Sequence, residues 1–251
     1  MNIWRNARRL FALLLLSALA LQLYFVGRIA LMAVVDPQST SFQRSEAWRL
    51  LSEKGRIEWA QQWVSDERIS IQLKRAVVAS EDAGFVDHHG LDWDAIERAW
   101  QKNQRSETRQ AASRPHANPA SKAAARPPKL VGGSTISQQL AKNLFLSGER
   151  NVPRKAEEAL LTVALETFLS KRRILEIYLN SVEWGEGLFG AQAAARHYFH
   201  VDAQRLSAEG AARLAVMLPA PKRFEHSPGS AYVSGRAATI MARMPAVDLP
   251  E

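Results

Sequence analysis

Between Glu81 and Asp92, six ionisable or imidazole side chains (Glu81, Asp82, Asp87, His88, His89 and Asp92) fall within twelve positions, beside Gly84 and Gly90. Leu73, Ala76 and Val77 just upstream keep the i, i+3, i+4 spacing of one apolar helix face, which predicts that Glu81 and Asp82 emerge at that helix's C-terminal end. A carboxylate there meets the negative end of the helix dipole. Partial burial raises its pKa further, which suits a proton acceptor working near neutrality. An acidic helix end followed by a His-rich turn accounts for the same residues without chemistry. A metal role for Asp87, His88 and His89 is the weaker reading, because adjacent histidines seldom point at one ion.

A second stretch, Gly132 to Asn143, opens on two glycines that let backbone approach a ligand closely and continues as Thr135-x-x-Gln138, the spacing of a capping box. Thr135, Gln138 and Lys142 at i, i+3 and i+7 share a face whose hydroxyl, amide and cation suit sugar hydroxyls or phosphate oxygens. A capped, solvent-exposed helix would use the same residues. Lys142, Arg150, Arg154 and Lys155 then place four cations within fourteen positions. Such a set can bind two neighbouring phosphates and stabilise their charge as they depart. Leu144-Phe145-Leu146, among them, reads as core packing, with insertion beside a lipid tail as the alternative. Glu158 is spaced for an i, i+4 ion pair with Arg154.

Taken with Arg154-Lys155-x-x-Glu158, Ile174-Leu175-Glu176-x-Tyr178-Leu179-Asn180, Gly185, Gly190, Ala193-Ala194 and Glu209-x-Ala211-x-x-Leu214-Ala215, these segments resemble the peptidoglycan glycosyltransferases over residues 72–228. With no transpeptidase domain following, the likeness is to the monofunctional form. The resemblance implies a mainly α fold: a lysozyme-like helical catalytic domain with a small membrane-facing lobe, preceded by one N-terminal transmembrane helix. It implies polymerisation of lipid II into β-1,4 glycan strands with inversion and release of undecaprenyl diphosphate. Glu81 would be the base, and Glu158 a second active-site glutamate that orients the basic cluster or holds Mg2+ or Mn2+ at the diphosphate; a metal requirement does not follow. It also implies substrate contacts from Asp82, Phe85, His88, Ser134, Thr135, Gln138, Gln139, Lys142, Asn143, Arg150 and Arg154. Glu157 stands where relatives often carry a basic residue, which puts part of the cation set in doubt. The rivals are a lysozyme-like glycan-cleaving enzyme, with Glu81 as general acid, and a non-catalytic scaffold of a cell-wall synthesis complex.

The rest of the chain must position these groups. Its 251 residues suffice for one sizeable core plus an anchor, and Cys is absent, which excludes disulfides and thiolate metal sites. A net charge of +8 favours anionic partners, here a phosphorylated substrate or an acidic lipid surface. Nucleic acid is not expected, because no reader motif is present. Residues 10–35 are apolar enough to span a bilayer, and Arg5, Arg8 and Arg9 before them predict an N-terminus (1–9) in the cytoplasm and a catalytic domain in the periplasm, at the inner membrane. A signal peptide cleaved after Ala18-Leu19-Ala20 is the competing reading. That placement allows cell-division or elongation proteins as partners beside lipid II and the nascent strand.

Residues 36–71 read as a tether and an amphipathic helix over 45–64, with Trp48, Leu51, Trp59 and Trp63 facing either headgroups or the catalytic domain. Asp92 is the N-cap expected for a helix bracing the site through Trp93, Ile96 and Trp100. Residues 101–130 shift to Ala, Ser, Arg, Pro, Gln and Lys and read as a mobile insertion. Later helices are expected over 136–145, 154–169, 171–179 and 208–217, with no strand pattern between them, Asn180 as a cap, Glu183 and Glu186 in a flexible turn, and a tail from 229 to 251.

Overall fold

A computed structural model describes residues 2–113, 133–146 and 151–251. The first helix, α1, runs over Asn2–Leu31, and its Trp4–Leu31 stretch is long and apolar enough to cross a membrane. It starts earlier than the expected residue 10, since Arg and Ala near the N-terminus are good helix formers. Its last turns are not lipid-facing: Ile29 and Met32 are buried in the main core, and Phe25 packs edge-on against Phe145 at 5.3 Å between ring centroids. Arg173 fastens the exit from this helix by donating to the Met32 carbonyl and to Asp36.

Helix α2 (Ser41–Lys54) begins at a Thr40 capping box with Gln43 and ends at Gly55, whose φ of 69° suits glycine. The amphipathic helix is thus shifted from 45–64. Trp59 lies beyond it, stacked on Phe189 at 4.5 Å, and Trp63 sits under Arg173, so both serve the catalytic domain while Trp48 projects outward. The core is helical. Helix α3 (Ile71–Glu81) buries Leu73, Ala76 and Val77 as their spacing predicts, and packs on α9 (Ala208–Met217) and α11 (Ala231–Arg243). The expected C-terminal tail is therefore partly core, because Val233, Ala237 and Ile240 are one buried helix face.

Helix α4 covers Trp93–Ser113 and replaces the first part of the expected insertion; residues 114–130 lie outside the described residues. Helices α5 (Ile136–Phe145), α6 (Val152–Phe168) and α7 (Lys171–Ser181) pack together, each started by a side-chain cap at Thr135, Asn151 or Ser170. A short sheet contradicts the reading that no strands occur: β1 (Ala60–Gln61), β2 (Glu183–Gly185) and β3 (Leu188–Phe189), in the order β1-β3-β2, with β1 parallel and β2 antiparallel to β3. Strands of two or three residues are too short to show a period of two. The turn between β2 and β3 requires Gly187, where an added Cβ would stand 2.1 Å from the Glu58 carbonyl oxygen. Asn180 is no cap: inside α7, it bonds the Val64 backbone through both its oxygen and its amide. The short helices α8 (Ala191–Phe199) and α10 (Pro221–Phe224) complete the domain.

Candidate active site

Glu81 is the last residue of α3 and Asp82 its cap, as the sequence spacing predicts. The turn that follows is tied together by Asp82. One carboxylate oxygen is 2.9 Å from His88 Nε2, and the other accepts the first backbone N–H of α5, from Ile136, at 2.9 Å. Gly90 N–H donates to His88 Nδ1, so the ring proton resides on Nε2 and is given to Asp82. His88 thus holds Asp82. Phe85 is fully buried beneath Lys171, whose Nζ is 4.5 Å from the ring centroid. Thr135 closes the loop by donating to the Gly90 carbonyl at 2.6 Å. Gly90 itself, at φ 87°, lies so close to α6 that a Cβ would come within 2.7 Å of the Thr162 methyl.

Glu81 is mostly buried, and burial is the chief reason its pKa is raised; the Asp82 charge adds to this. Hydrogen bonds from Gln139 and Ser80, and the positive charge of Lys142, oppose the rise. Gln139 Nε2 donates to Glu81 Oε2 at 3.0 Å, and the Tyr178 hydroxyl donates to Gln139 Oε1 at 2.9 Å. Glu81 also lines a cavity of about 340 Å³, with Asp82, Asp92 and the Ser134-Thr135 corner on one side and Ala95, Arg98 and Lys102 of α4 on another.

Several expected contacts are used otherwise. Thr135 and Gln138 are buried in the capping box of α5, so they do not present a polar face with Lys142, which is exposed. The backbone that Gly133 approaches is the Ala95 carbonyl, at 2.9 Å from an added Cβ. The α4 face toward the site is Ala95, Arg98 and Lys102, while Trp93 and Trp100 point outward, the reverse of the expected brace. Leu144 and Phe145 are core residues. Asn143 is half-buried on α5, and Arg150 lies outside the described residues.

Glu158 is buried on α6 with one oxygen 3.2 Å from Arg154 and the other on Lys155. Both oxygens are taken by cations, so this carboxylate orients the basic pair, and the donor set does not fit a metal ion. Glu157 instead meets α1, accepting Gln22 Nε2 on both oxygens at 2.8 Å, so this acid ties the anchor helix to α6. Sequence reasoning missed Arg98, Lys102 and Tyr178; the i, i+4 basic pair on α4 was the available signal for the first two.

The transglycosylase family model matches residues 49–114 and 118–245. The chain belongs to the transglycosylase family. This transglycosylase is 46% identical over 240 residues to the biosynthetic peptidoglycan transglycosylase of Paraburkholderia phytofirmans, a match covering 96% of this chain and 92% of the relative. It is 49% identical to that of Burkholderia thailandensis, over 92% of the chain and 83% of the relative, and 48% identical to that of Burkholderia multivorans. The helical core around α3, α5, α6 and α7 is the family's lysozyme-like catalytic domain, and α1 fits a single-pass membrane anchor for a transglycosylase of bacterial cell-wall synthesis.

Proposed function

We propose that this transglycosylase polymerises lipid II into β-1,4 glycan strands, with Glu81 as the base. The observation that carries the reading is a buried carboxylate at a helix C-terminus, opening onto a cavity and receiving an amide N–H from Gln139. Burial makes it basic enough to take a proton, and the N–H keeps it ionised beforehand. Glu81 removes the proton from the 4-hydroxyl of the acceptor's N-acetylglucosamine. That oxygen forms a bond to the anomeric carbon of the donor's N-acetylmuramic acid from the face opposite the diphosphate, whose C–O bond breaks with inversion. The departing oxygens keep the electron pair, and Lys142, Arg150 and Arg154 offset their charge. No step passes through a metal.

Arg5, Arg8 and Arg9 favour a cytoplasmic N-terminus, which puts the cleft at the outer face of the cytoplasmic membrane, where a lipid-linked donor and cell-division or elongation proteins are within reach. Confinement by α1 holds the cleft near the depth of the substrate phosphates. The test is polymerisation of fluorescent lipid II in detergent by the full-length protein and by Glu81→Gln, with products resolved on a gel. Strands from the wild type and none from a folded variant are expected. Cleavage of preformed glycan without synthesis would sink the polymerase reading.

A further inference from the structure

Tyr178 lies on α7, has no solvent exposure, and touches no described cavity, yet its hydroxyl ends a chain of two hydrogen bonds to Glu81. A buried O–H must find an acceptor, whereas a phenol lone pair left unmet costs less. Gln139 Oε1 is the acceptor the structure provides. The other orientation of that amide would aim Nε2–H at the phenol, leave the phenol's own hydrogen without this partner, and turn Oε1 toward Glu81. Two oxygens can then share a hydrogen bond only if Glu81 is protonated, and a protonated glutamate cannot act as a base.

We infer that Tyr178 is a positioning residue that locks the Gln139 amide with its N–H toward Glu81 and so keeps the base ionised. This rests on the reading of Glu81 as base. The groups facing Glu81 are Ser80 and Asp82 on its own segment, Gln139 and Lys142 of α5, and Tyr178 of α7; Asp92, Arg98 and Lys102 line the same cavity. Tyr178 itself stays protonated, because burial first, and then the Glu81 and Asp82 charges, hold its pKa well above the ordinary value. His88 keeps its Asp82 and Gly90 partners whichever way the amide points.

The experiment is the pH profile of kcat/KM for lipid II polymerisation by the full-length protein and by Tyr178→Phe, which deletes one oxygen. The acid limb of the variant moves up by at least ~0.5 pH unit, and its rate approaches wild type at high pH. Gln139→Leu, a half-exposed site that reads the same limb should the first variant not fold, moves it in the same direction. The double variant moves no further than Gln139→Leu alone, because Tyr178 acts through that amide. A rate lowered equally at every pH, an unmoved limb, or an additive double variant would overturn the inference. Activity retained by Glu81→Gln would instead remove the base assignment on which it rests.

Discussion

Glu81 and Glu183 are both carboxylates pressed into protein, and burial raises both, Glu183 to about 7. What meets the carboxylate differs. Glu81 receives an oriented amide N–H and opens onto a cavity. Glu183, on β2, has one oxygen without a hydrogen bond; its nearest cation, Lys222, stands 3.5 Å away and is drawn to Glu46 at 2.6 Å. Arg49 joins that cluster by pairing with Glu46 and Glu186, and Lys54 also pairs with Glu186. Both sites have an elevated acid, but Glu81 meets an oriented amide N–H and a cavity with room for a reacting hydroxyl, whereas at Glu183 the rise is offset by Lys222, a cation shared with Glu46. A raised pKa is therefore the shared product of packing, and the second interaction distinguishes a tool from a cost.

The sharpest way to break this comparison is to neutralise each acid in turn. Glu81→Gln should lower polymerisation by about 10²- to 10⁴-fold, the usual worth of a positioned base, whereas Glu183→Gln should stay within about threefold of wild type. Comparable losses in the lipid II gel assay would erase the distinction.

Next comes pH-dependent stability. The unfolded pKa of Glu183 is near 4.5 and its folded value is about 7, so between these the folded state binds the extra proton. Stability is therefore greatest below pH 4.5 as far as this group is concerned and falls as pH rises through 7, by on the order of 3 kcal/mol. Urea titrations of Glu183→Gln should lose that slope and show a variant more stable than wild type at pH 8.

Asp82→Ala should cost about 2–3 kcal/mol, because it strands the Ile136 N–H and the His88 ring together, and should reduce the rate with it. The smallest effects separate two capping boxes. Thr40→Ala and Thr135→Ala each remove an N-cap worth about 1 kcal/mol in thermal unfolding. Only Thr135→Ala should also slow polymerisation, since Thr135, unlike Thr40, donates to the Gly90 carbonyl at the end of the Glu81 loop.

The elements that were legible in the sequence are those specified locally. The Leu73, Ala76, Val77 face located the end of α3 and hence Glu81 and Asp82, and Thr135-x-x-Gln138 located the start of α5 at the right residue. The same motif spaced Thr135 and Gln138 with Lys142 as one polar face, yet the first two are buried in the cap and only Lys142 is exposed, because spacing reveals which side chains share a side of a helix and not whether that side is covered. Residues 101–113 read as insertion because a helix of Gln, Lys, Arg and Glu with little apolar content resembles a loop in composition, although those residues are good helix formers. The link from Tyr178 to Glu81 is not legible in sequence, since it runs through two contacts separated by 39 and 58 positions. Gln22 and Glu157, 135 positions apart, were invisible for the same reason.

That last pair bears on how deep the enzyme rides in its bilayer. Gln22 is where the described side chains of α1 first become half-buried, so the fully exposed stretch between Arg9 and Gln22 is only ~20 Å at 1.5 Å per residue. A hydrocarbon slab is ~30 Å thick. With Arg9 at one headgroup layer, that stretch ends ~10 Å short of the other, within the part of α1 that packs on α6, a helix that itself exposes Val152, Leu160 and Val163. Because α1 is fixed to α6 instead of hinged, a thicker or thinner membrane tilts or drags the whole cleft, and the thickness of the bilayer becomes a parameter of catalysis.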